Sequence, residues 1–140
     1  MDRTVSRAGR SRVAVLLIGL GLAAAGRVAA HHSFAVEFDV KKQVTLKGVV
    51  TKIEWSNPHT YFYVDVNDGR NVVNWAFETA GPNTLSRQGW DRRSLKVGDR
   101  VTVTGYRARD GANVASAREV VLSDGRKVFA GSAADGGPSR

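Results

Sequence analysis

Three histidines, His31, His32 and His59, carry the most distinctive chemistry in this chain of 140 residues, and cysteine is absent. Without thiols there are no disulfides, no Cys-ligated zinc or iron–sulfur centre and no thiol nucleophile. A metal must therefore rest on imidazole nitrogen and carboxylate oxygen. What precedes His31 gives it weight. Arg3, Arg7, Arg10 and Arg12 stand against Asp2, and residues 13–25 (VAVLLIGLGLAAA) form an uncharged apolar run ending in small residues up to Val28-Ala29-Ala30. The run is short for a bilayer span, and the order reads as a cleaved export signal over residues 1–30. The cut is expected between Ala30 and His31, with delivery to the periplasm. The mature chain then opens on His31, whose α-amine and ring Nδ1 chelate Cu(II). His32 is its neighbour, and His59, in the turn 56–59, offers an imidazole to complete the roughly square-planar nitrogen set that copper favours. Glu37 or Asp39 would add an oxygen or orient a ring. Copper is thus the cofactor this pattern names. The competing reading leaves the paired histidines solvated and His59 bonded to backbone.

A second constellation is a polar–aromatic face for ligand binding, formed by Tyr61, Tyr63, Asp65, Asn74 and Glu78 with Trp55 and His59 at its rim. Aromatics there can stack a sugar or a small ring while the polar groups orient it. The alternative is that the tyrosines serve cross-strand packing alone. Arg87, Arg92, Arg93, Lys96 and Arg100 cluster along the chain, but Asp91 and Asp99 lie among them, so a solvated mixed-charge surface is expected. The formal charge of +8 includes Arg3, Arg7, Arg10, Arg12 and Arg27 against Asp2 in residues 1–30. Half of the net charge leaves with the signal, and with it the case for nucleic acid as a partner. No Gly-x-Ser-x-Gly elbow and no phosphate-binding loop occurs outside the signal, which disfavours the corresponding enzyme classes.

These groups need elements to hold them. Residues 31–43 read as a lead-in with apolar positions at spacing two, a pattern open to pairing as an extra strand or to packing along an edge. Residues 44–55 are the first strand, its inward phase shifting after Gly48 from Val44 and Leu46 to Val49, Thr51, Ile53 and Trp55, as at a β-bulge. Residues 60–66 are a second strand with Phe62, Val64 and Val66 inward. Asn67-Asp68-Gly69 is a hairpin turn leading to a third strand over 71–78, with Val73, Trp75 and Phe77 inward and Glu78 outward. A short helix begins at Gly81-Pro82 and stops at Gly89. Val101, Val103 and Gly105 lie on strand four, 114–122 is strand five, 127–129 a last short strand, and 131–140 a disordered tail. The predicted fold is mainly β: a small, partly open OB-like barrel of five or six strands over 44–130, with one short helix between strands three and four. A small β-sandwich is the other arrangement this pattern admits.

The chain also resembles a known family. His31-His32-Ser33-Phe34, Glu54-Trp55-Ser56-Asn57-Pro58-His59, Asn74-Trp75-Ala76-Phe77-Glu78, Gly81-Pro82-Asn83-Thr84-Leu85 and Leu95-Lys96-Val97-Gly98-Asp99 are similar to an exported bacterial family, domain of unknown function 6152. The resemblance spans nearly all of 31–131; it implies export and a compact β-rich domain and supplies no activity. The residues themselves predict an exported, non-enzymatic domain that binds a small ligand, a metal or an envelope protein. It has no stable membrane anchor after cleavage. Two other readings compete with it: a small copper-dependent redox enzyme, and a structural or stress-accessory envelope protein.

Overall fold

The computed structural model describes residues 34–129 and Gly131. Residues 1–30, expected to be an export signal, His31, His32 and all of the expected tail except Gly131 lie outside the described residues. Within them the chain is mainly β, with six strands: β1 (Phe38–Glu54), β2 (Tyr61–Asn67), β3 (Val72–Glu78), β4 (Arg100–Ala108), β5 (Val114–Leu122) and β6 (Lys127–Phe129). Residues 34–37 are helical, and a second short helix, Pro82–Arg87, connects β3 to β4. The strand order is β3-β2-β1-β4-β5-β6, all antiparallel neighbours, and a parallel pairing of β3 with β5 closes the sheet into a ring. Ala76 pairs with Val114, Phe77 with Ala115 and Glu78 with Ser116 at that closure.

Alternation decides which side chains fill the ring. Phe62, Val64 and Val66 of β2, Trp75 and Phe77 of β3, and Val101 and Val103 of β4 are buried, as their spacing predicts. The Phe62 and Phe77 rings stack with centroids 5.2 Å apart. Leu85, the buried residue of the helix, joins Trp90 and Leu95 in the same core. Proline at the helix start costs no hydrogen bond, and Gly89, at φ +89°, takes the left-handed conformation just past its end.

The first strand departs from its sequence reading in two ways. It begins at Phe38, so residues 38–43 of the expected lead-in belong to it, and it pairs along β4 from Phe38↔Ala108 to Val49↔Arg100. The phase shift also lies later than Gly48. Val50, not Val49, is the buried residue, and the register against β2 slips between Val50 and Lys52, which leaves Thr51 as the extra residue. Gly48 has another task. A Cβ at that position would lie 2.2 Å from the Asp65 carbonyl oxygen and 2.6 Å from Val64 Cγ1. Only a glycine lets β1 pass so close to β2 where the sheet coils.

Candidate functional site

The loop between β1 and β2 delivers His59 to the rim of the ring. Ser56 Oγ donates to the His59 carbonyl at 2.9 Å, and the Asn57–Pro58 peptide bond is cis. A Cβ on Gly81 would sit 2.5 Å from the Pro58 carbonyl oxygen, so the loop lies directly against the turn that starts the helix. The two motifs Ser56-Asn57-Pro58-His59 and Gly81-Pro82-Asn83 therefore meet in space.

Glu78 is the hub of the rim. Its outward-pointing position was expected to be solvent-exposed, yet the residue is only 8% exposed. The carboxylate is covered because neighbours converge on it: Tyr61 OH donates to Oε2 at 2.6 Å and His59 Nδ1 lies 3.0 Å from Oε1. His59 Nδ1 is also 3.1 Å from the Thr79 carbonyl oxygen. The Thr79 carbonyl oxygen can only accept. Nδ1 must then carry the hydrogen, which leaves the lone pair of the neutral ring on Nε2. Burial raises the Tyr61 phenol well above the ordinary tyrosine range, and the Glu78 hydrogen bond and the charges of Glu78 and Glu37 add to the rise.

Next to it lies a second tyrosine–carboxylate pair that sequence reasoning missed. Tyr63 OH donates to Glu54 Oε2 at 2.8 Å, Lys52 pairs with Glu54 Oε1, and the Lys52 ammonium sits 5.1 Å above the Tyr63 ring. The Lys52 hydrogen bond, then that of Tyr63, holds the Glu54 carboxyl below the usual range, and the bond to Glu54 chiefly raises Tyr63. The slip at Thr51 is what puts Lys52 opposite Tyr63 and Glu54 opposite Tyr61. A plain alternation count cannot anticipate it. Farther along the face, Asn74 Nδ2 donates to Asp65 Oδ1 at 2.7 Å and to Thr51 Oγ1 at 3.1 Å.

The polar groups of the predicted ligand face bond one another. Trp55 is half-buried against the core, with the Arg92 guanidinium 5.8 Å from its ring. Trp75 is buried, as expected of a core residue, with Arg107 5.2 Å from its ring. Of the basic cluster, Arg93 pairs with Asp91 at 3.3 Å and Arg87 donates to Thr84 Oγ1, in keeping with a mixed-charge surface. His59 and Glu78 lie together; His31 and His32 lie outside the described residues. Among those residues no group of three or more His, Cys, Asp and Glu forms a metal cluster. No described helix is long and apolar enough to cross a membrane.

A family model described as a family of unknown function (DUF6152) matches residues 20–117. No curated protein and no solved structure matches the chain.

Proposed function

The chain belongs to the DUF6152 family, a family of unknown function, and from its residues we propose an exported, non-enzymatic domain that binds Cu(II) through His31, His32 and His59. The observation that carries this reading is the pair of oxygens facing His59 Nδ1, Glu78 Oε1 at 3.0 Å and the Thr79 carbonyl at 3.1 Å. A ring held this way presents Nε2 as a ligand, and a carboxylate behind a ligating histidine fixes its orientation and raises its basicity. The lead-in also approaches this face. Phe34 stacks edge-on against Tyr106 at 6.3 Å, and the charge of Glu37 reaches Tyr61.

Export rests on the basic, apolar and small-residue order of 1–30. An OB-type barrel is supported by the ring-closing β3–β5 pair, the helix between β3 and β4, and the irregular first strand. In this reading Tyr61 and Tyr63 act as a scaffold for the two carboxylates instead of stacking a ligand.

Calorimetric titration of the mature chain with Cu(II), its N-terminus first fixed by intact mass, tests the proposal. His31→Ala and His59→Ala should each weaken binding by more than about tenfold, or about 1.4 kcal/mol. Unchanged affinity in the His59 variant would reduce the site to a terminal chelate and overturn it. Oxygen or peroxide consumption by the loaded protein faster than by free copper would replace it with the redox-enzyme reading.

A further inference from the structure

On the outer surface of β2, β1, β4 and β5, away from His59, lies an open cavity of about 420 Å³. Two cross-strand rows line it. Asp65, Val49 and Arg100 are register partners across β2, β1 and β4, and Lys47, Thr102 and Val121 are register partners across β1, β4 and β5. The close passage of β1 at Gly48 lies within this wall. We propose that this cavity binds a small monoanion with an apolar body, such as a medium-chain carboxylate, its charge held by Lys47 and Arg100 and its body against Val49 and Val121.

Placement, charge and apolar lining support the assignment. Lys47 and Arg100 stand on adjacent strands, two positions apart diagonally, close enough to share one anionic group. Neither forms an ion pair or a side-chain hydrogen bond among the described residues, so their charge remains available. The one carboxylate in the wall, Asp65, is already engaged by Asn74 Nδ2 at 2.7 Å. Half-buried Val49 beside the cations and Val121 on the neighbouring β5 supply the apolar contact, over the buried Val101 and Leu122. The volume falls within the usual range for small-molecule sites, and a few polar groups over an apolar wall is their common composition. Arginine offers a fork that matches a carboxylate, and lysine adds a point charge. The site is independent of copper.

Calorimetry with sodium decanoate, 1-decanol and sodium acetate as probes tests it. Decanoate should bind at least about tenfold more tightly than either of the others, because only decanoate has both the charge and the body. The double variant Lys47→Gln/Arg100→Gln should lose at least about tenfold in decanoate affinity while its Tm stays within about 2 °C, since both side chains are exposed. Amide shifts on decanoate addition should centre on Val49, Thr102 and Val121. Failure of decanoate to bind below about 1 mM would overturn the proposal. So would equal binding of decanol or acetate, or undiminished binding by the double variant.

Discussion

Glu78 does more than any other single residue to organise the rim. Its buried carboxylate takes the Tyr61 hydroxyl at 2.6 Å and the His59 ring at 3.0 Å. Tyr61→Phe removes a donor from a buried anion, and equilibrium urea unfolding near neutral pH should show a loss of about 2 kcal/mol. The pH dependence has a definite sign. The folded protein holds the Tyr61 phenol above its ordinary value, so this contribution is complete below about pH 10 and is lost as pH rises toward the folded value. The unfolding midpoint of the parent chain should therefore fall from about pH 10 upward, and fall less steeply in Tyr61→Phe. An equal slope in both proteins would mean that the phenol is not held in its neutral form. At this scale the sequence supplied the residue types: His59, Tyr61 and Glu78 were all candidates. It could not supply the partnership, because His59 and Glu78 are nineteen residues apart and meet only where Thr79, just after β3, bonds Thr60, just before β2.

At the scale of elements, turn chemistry was the most legible part of the chain. Gly69, Gly111 and Gly125 all take positive φ after an aspartate. In each case the amide two residues on donates to the Asp carboxylate: Arg70 to Asp68, Ala112 to Asp110 and Arg126 to Asp124. These are local bonds set by adjacent residues, which is why sequence reveals them. The phase of β1 was not local. Its slip at Thr51 follows from how β2 lies across it, and Gly48 is required by the Asp65 carbonyl of the neighbouring strand. Gly48→Ala should accordingly cost about 2–3 kcal/mol by urea unfolding, since the strands must part to admit the methyl group. A loss no larger than that of an exposed strand glycine would show that the coil can relax.

For the whole molecule, ring closure and core share a residue. Phe77 is fully buried, stacks on Phe62 at 5.2 Å and lies on the stretch of β3 that pairs in parallel with β5. Phe77→Ala should cost about 3–5 kcal/mol, a large share of the 5–15 kcal/mol typical of a domain, with a matching drop in the denaturant midpoint. Backbone amides of Val114 and Ser116 should lose hydrogen-exchange protection in that variant ahead of those in the β1–β4 pair; uniform loss would show that closure is not a separable step. The sequence by itself determined the β-rich class, the order of strands and helix, the turns, the inward faces of β2, β3 and β4, and the composition that restricts metal ligands to nitrogen and oxygen. Each of these follows from alternation, turn residues and residue type, which act over a few neighbours. Only the tertiary structure decided the Thr51 slip, the burial of Glu78, the proton position on His59 and the placing of Lys47 beside Arg100. Those depend on which strands become neighbours, and that is settled when the whole ring buries its apolar face.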